Sequence, residues 1–164
     1  MGKKSTKENK TIYHIYREEA GLTRAQASEK LDFISQSRLE KIENEKTDPH
    51  PEDILAMASA YNRPELCNLY CSQICRLGQD YIPSVECKDL SQITLEMIVT
   101  LNKLSSEKDR LAEILVDGKI TKDEIKDFKR INDDLDKMAL TIEGLRMWVK
   151  KTIADDELDA SILS

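Results

Sequence analysis

Residues 22–46 read LTRAQASEKLDFISQSRLEKIENEK, and the order of caps, apolar positions and turn residues in this stretch decides the fold. Thr23 stands where a helix needs an N-cap, with Gln26 three residues on to complete a capping box. A short helix over 24–31 follows, and Asp32-Phe33-Ile34 reads as a turn. Ser35 then caps a further helix that runs to about Asn44. In that helix Leu39 and Ile42 point inward, while Gln36, Ser37, Glu40 and Lys41 lie elsewhere on its surface. A brace helix, a tight turn and an amphipathic helix form one supersecondary unit.

Upstream of this unit, Ile12, Ile15, Tyr16 and Ala20 recur at near-helical spacing, and Gly21 supplies a stop. His14 falls on the polar side of that helix. Downstream, Thr47-Asp48-Pro49-His50-Pro51 is a loop, with Pro51 placed as a first helical residue. Ile54, Met57, Ala58 and Tyr61 give the apolar face of a fourth helix, and Pro64 opens a fifth that ends before Gly78.

The pattern changes beyond a linker at 78–88. Leu90, Met97, Leu101, Leu104, Leu111 and Leu115 follow heptad steps, interrupted by Thr94 and Lys108. Asp117-Gly118 breaks the helix, and Thr121 with Glu124 caps the next one. There Phe128, Ile131, Leu135, Met138, Ile142, Leu145 and Val149 alternate in steps of three and four. Two long antiparallel helices packed along narrow stripes are expected. Ile93, Ile98, Ile114 and Met147 widen those stripes, enough for two hairpins to pair into a four-helix bundle. Homodimerisation through residues 89–153 is therefore expected, with a hairpin folded back on the N-terminal domain as the alternative. The expected organisation is a basic arm (1–10), a five-helix domain (11–77), a linker (78–88), a hairpin (89–154) and a frayed acidic tail (155–164).

Composition agrees with an all-α chain. Apolar residues make 40% and charged residues 34%, as in a globular protein with much exposed helix, and aromatics are only 5%. No run approaches the roughly 20 apolar residues that cross a bilayer, so no membrane association is expected. The basic start, with Lys3, Lys4, Lys7 and Lys10 against Glu8, leads into no apolar signal region, and a cytoplasmic location follows. The net charge of −6 arises entirely after residue 63: residues 1–63 carry 11 cations and 11 acids, the rest 14 and 20. Attraction to phosphate depends on local cations, so this balance leaves the N-terminal part able to meet a polyanion.

The 22–46 segment resembles the phage-repressor-like helix-turn-helix family, also called the xenobiotic-response-element type, and the resemblance extends over about residues 11–70. It implies that 24–31 braces across a DNA backbone while 35–44 lies in the major groove. By that placement Gln36 can pair with adenine, Ser37 is permissive, and Arg38 and Lys41 can reach a guanine edge or a phosphate. Thr23, Arg24, Asn44 and Lys46 become the phosphate contacts. Arg17 and Glu43 match the family's structural ion pair. The sequence departs from the pattern in its turn, where Asp32 replaces a glycine and one residue is added, and at Glu45, another glycine position. Asp32 and Asn44 are the residues expected to take up left-handed backbone there.

Other signals are weaker. Cys67, Cys71 and Cys75 recur every four residues, with Cys87 beyond, and were they to hold zinc the outer sulfurs would stand about 12 Å apart on a continuous helix. They read as reduced thiols packing as small apolar groups. Residues 117–124 imitate half a calcium loop, but Leu115 falls on a ligand position. No Gly-rich phosphate loop, nucleophile elbow or paired-carboxylate motif is present, so neither enzyme activity nor a cofactor is expected. The expected function is a sequence-specific transcriptional regulator, a repressor of bacterial or phage type, bound to double-stranded DNA as a homodimer. The alternative is a helical interaction module or antitoxin-like adaptor.

Overall fold

Capping and glycine-like turns divide the N-terminal part into short helices. The computed structural model describes residues 10–159 and 161, so Lys3, Lys4, Lys7 and Glu8 of the basic arm and most of the last five residues lie outside it. The described residues form helices and no strand, in the order α1 (Ile12–Glu19), α2 (Arg24–Leu31), α3 (Gln36–Glu43), α4 (Pro51–Ala60), α5 (Glu65–Gln73), α6 (Arg76–Tyr81), α7 (Leu90–Leu115) and α8 (Ile125–Ala154). They fall into two units, one reaching to Ser84 and including the chain from Lys150, the other Val85–Val149.

In the first unit, Ala27, Leu31, Ile34, Leu39, Ile42, Ile54, Met57 and Leu66 form a closely packed core. Four helices end in the same device. After α1, α3, α4 and α8 a residue with φ of 56–72° is followed by an N–H that reaches back to the carbonyl five positions earlier. These Schellman ends are made by Gly21, Glu45, Asn62 and Asp156, and only the first is glycine. At the end of α3, then, Glu45 takes the left-handed backbone (φ 56°), while the expected Asn44 keeps φ −105° and donates its side-chain amide to Glu40 O. The last turn of α8 belongs to this unit, where Asn62 Nδ2 donates to Ala154 O at 2.5 Å.

The inward face of α1 is a correction to the apolar spacing. Tyr13, His14 and Arg17 are buried, Ile12 and Tyr16 pack partly beside them, and Ala20 is exposed. Polar groups take the inner positions because carboxylates and the helix N-cap are there to meet them. The expected fifth helix is also broken: Cys75 adopts extended backbone (ψ 116°) between α5 and α6. Gly78 fits only as glycine, since a Cβ there would stand 2.0 Å from Cys71 O. Cys67 and Cys71 therefore lie on α5, whereas Cys75 caps α6.

In the second unit, Asp89 caps α7 by accepting from Gln92 N at 2.9 Å, and Gly118 (φ 68°) ends the turn after it. Glu124 accepts from both Thr121 N and Thr121 Oγ1 just before α8. Ile93, Thr100 and Ile114 of α7 and Ile131, Asp134 and Thr141 of α8 are buried, so the seam is a mixed polar and apolar line. Five residues of the heptad stripe instead remain in water: Leu90, Leu101, Leu115, Leu135 and Ile142 are 40–52% exposed.

Candidate nucleic-acid interface

The turn between α2 and α3 sets the angle at which α3 leaves the core. Asp32 adopts φ 59°, ψ −64°, and Phe33 N donates to Leu31 O at 2.7 Å. This is a γ-turn in its rare positive-φ form, a strained conformation that absorbs the added residue. Ser28 Oγ closes the corner by donating to Ile34 O at 2.8 Å. Both flanking helices start with capped N-termini. Thr23 Oγ1 accepts from Gln26 N while Gln26 Oε1 accepts from Thr23 N, and Ser35 Oγ accepts from Arg38 N.

The inner side of α3 is anchored by burial, with Leu39, Ile42 and Glu43 at 0–1% exposure. An ionised carboxylate at 0% exposure persists only when paired. Glu43 accepts from Arg17 Nε at 2.5 Å and Arg17 Nη2 at 3.0 Å, and from Arg24 Nε at 2.8 Å. Arg17 Nη1 also donates to Leu22 O, and Thr11 Oγ1 donates to Glu43 O. One carboxylate thus ties α1, the start of α2 and the end of α3 together. Burial pushes the Glu43 carboxyl up, but the hydrogen bonds from Arg17 and Arg24 outweigh it and hold the group below the ordinary carboxylate range.

His14, placed by its spacing on a polar side, is instead 1% exposed within the same cluster. Its Nε2 lies 3.1 Å from Glu18 Oε1 and its Nδ1 3.7 Å from Glu43 Oε2, and Lys10 Nζ completes the group at 2.6 Å from Glu18. Periodicity missed it because Glu43, one of the two carboxylates beside its ring, is brought there only by the fold.

The outer side of α3 is open. Gln36, Ser37, Glu40 and Lys41 are exposed, and so is Lys46 after its end. Arg38 is different: its guanidinium grips buried Asp53 of α4 through Nη2 at 2.5 Å and Nε at 3.3 Å. Asp53 also accepts from His50 N at 2.8 Å, and burial, which raises its carboxyl, is outweighed by these bonds. Arg38 thereby braces α3 against α4. The His50–Asp53 spacing, matching a helix start, was the available signal for Asp53. Of the phosphate-contact candidates, Thr23 is engaged in its cap, Arg24 is half-buried on Glu43, Asn44 bonds Glu40 O, and Lys46 is exposed. The four cysteines are free thiols, and burial raises the Cys67 thiol pKa. Among the described residues, no group of three or more His, Cys, Asp or Glu is placed to hold a metal ion, and no helix is long and apolar enough to cross a membrane.

Two helices linked by a tight turn, the second locked by its inner face and free on its outer one, define a DNA-reading helix-turn-helix. Residues 14–66, from within α1 to the start of α5, match the family described as Helix-turn-helix, and this domain belongs to its xenobiotic-response-element type. No curated protein and no solved structure matches the chain.

Proposed function

We propose that the protein is a sequence-specific transcriptional regulator of bacterial or phage type that binds double-stranded DNA in the cytoplasm as a homodimer. The observation that carries this reading is the contrast across α3: three residues at 0–1% exposure on one side and four exposed polar side chains on the other. A helix fixed in this way can enter a major groove without rearrangement. Gln36 and Ser37, at its exposed start, are the base readers, with Lys41 on a base edge or phosphate. Arg38 contributes to base reading only by releasing Asp53. Thr23, Arg24, Asn44 and Lys46 flank the helix as phosphate contacts. The resemblance favours a repressor that acts by occupying its operator.

Selection of bound duplexes from a random pool tests the reading and returns half-site spacing as well. A salt titration on random duplex should give a steep negative slope as phosphate contacts are lost. If no duplex binds at low salt, the regulator reading fails. The acidic balance of residues 64–164, 20 acids against 14 cations, favours the second reading, a protein-binding adaptor. That reading gains if selection enriches nothing.

A further inference from the structure

The turn before α3 holds an aromatic ring in water. Phe33 is 62% exposed and is not among the side chains packed on the core. Leu31 and Ile34, on either side of the Asp32-Phe33 pair, go inward at 3% and 0% exposure, and the pair is left outside. The backbone that carries the ring is fixed. Asp32 sits at φ 59°, Phe33 N donates to Leu31 O at 2.7 Å, and Ser28 Oγ donates to Ile34 O at 2.8 Å. A side chain held in this way loses only its two torsions on meeting a partner. The exposed residues run on through Ser35 to Gln36 and Ser37 at the start of α3.

We infer that Phe33 is a base-reading residue, its ring covering the C5-methyl group of a thymine in the major groove. The inference rests on the regulator reading of α3. Three residues of chain, at most about 11 Å, separate Phe33 from Gln36, and base pairs are stacked about 3.4 Å apart. The thymine therefore lies within about three steps of the base that Gln36 reads. A phenyl ring has no donor for a phosphate oxygen or a purine edge, whereas the thymine methyl is an apolar group displayed in the major groove. The rest of the turn also suits a base edge better than the backbone. The exposed Asp32 carboxylate is repelled by phosphate, and Lys30, the cation before the turn, donates instead to Ala60 O at 2.9 Å. A positive-φ γ-turn costs stability, and what it achieves here is the projection of this ring beside the reading helix. The turn is one residue longer than the family's pattern, so the contact is this chain's own and adds to those made from α3.

The test uses the full chain and the duplex recovered by selection from a random pool. Each thymine of that duplex is replaced in turn by uracil, which differs only in lacking the methyl group. Fluorescence anisotropy then gives Kd for the unaltered protein, Phe33→Ala and Gln36→Ala. At one thymine, uracil should weaken the unaltered protein about fourfold, the worth of one buried methyl group. Phe33→Ala should bind the thymine duplex several-fold more weakly and lose nothing further with uracil at that position. Its Tm should be unchanged, because the ring lies outside the core. Gln36→Ala should keep the uracil effect. Equal uracil effects in the unaltered protein and Phe33→Ala overturn the proposal, as does the absence of any such effect. Full affinity of Phe33→Ala for the selected duplex also overturns it, and leaves the ring to a protein partner. If the pool yields no duplex, the regulator reading fails and takes this inference with it. A selected duplex without a methyl effect removes only the role of Phe33.

Discussion

Replacing Arg17 by alanine removes three hydrogen bonds, two to Glu43 and one to Leu22 O. The buried Glu43 carboxylate keeps only Arg24 Nε at 2.8 Å, with His14 Nδ1 at 3.7 Å. Stranding one partner of a buried pair costs about 3–5 kcal/mol. The surviving Arg24 bond places this case at the low end, about 3 kcal/mol, or roughly 12–24 °C in the Tm of a domain this size. The deficit should also depend on pH. In the unaltered protein the Glu43 carboxyl lies below its ordinary value, so its contribution is present above the ordinary carboxylate pKa and lost as pH falls through the folded one. Without Arg17 the burial penalty gains on the remaining bond and the carboxyl moves up. The variant then recovers by protonation at a higher pH, and the gap between the two proteins narrows from pH 7 toward pH 4. Urea unfolding followed by circular dichroism at both pH values measures it. A His14→Gln background removes the neighbouring imidazole from the comparison, and Arg17→Met separates lost charge from lost packing. A gap below 1 kcal/mol at pH 7, or one equal at both pH values, would refute the reasoning.

Gln36→Ala should cost about 1–3 kcal/mol on the selected site and relax its preference there, with random-duplex affinity unchanged; an unaltered preference places another residue at that base. Glu45→Gly should stabilise the domain by about 1 kcal/mol in the same urea assay, because the left-handed backbone strains any side chain. Gly78→Ala should destabilise by about 1–3 kcal/mol or more, since the new methyl meets the Cys71 carbonyl; an unchanged midpoint would show that α6 shifts freely. Arg38→Ala should lower stability by about 2–4 kcal/mol by stranding Asp53. If it instead reduced DNA affinity at constant Tm, Arg38 would be a groove residue.

The caps and the two inward residues of α3 were legible in the sequence because each rests on local chemistry. Thr23 with Gln26, Ser35, Leu39 and Ile42 need no distant partner to be read. His14, Arg38 and Asp53 were not legible in the same way: their positions follow from pairing across 4 to 29 positions of sequence, where spacing carries no signal. Glu45 shows a second limit. A glutamate seldom takes positive φ, yet two backbone hydrogen bonds at the end of α3 outweigh that cost. The break before Cys75 shows a third, since nothing in ELCNLYCSQICRLGQDY marks it, whereas Gly78 records the close approach that results. In the hairpin the heptad stripe located both helices correctly but straddles the seam, because Thr100, Asp134 and Thr141 take inner positions that apolar periodicity assigns to leucine.

Arg24 serves two masters in this arrangement. In the free protein its guanidinium neutralises part of Glu43, and on the proposed complex the same group also meets a phosphate. Its Nε holds the carboxylate, and the remaining N–H donors of the same planar fork can meet a phosphate at the same time. Grip on the operator and stiffness of the corner that aims α3 are thus joined in a single side chain, and losing it should weaken both together.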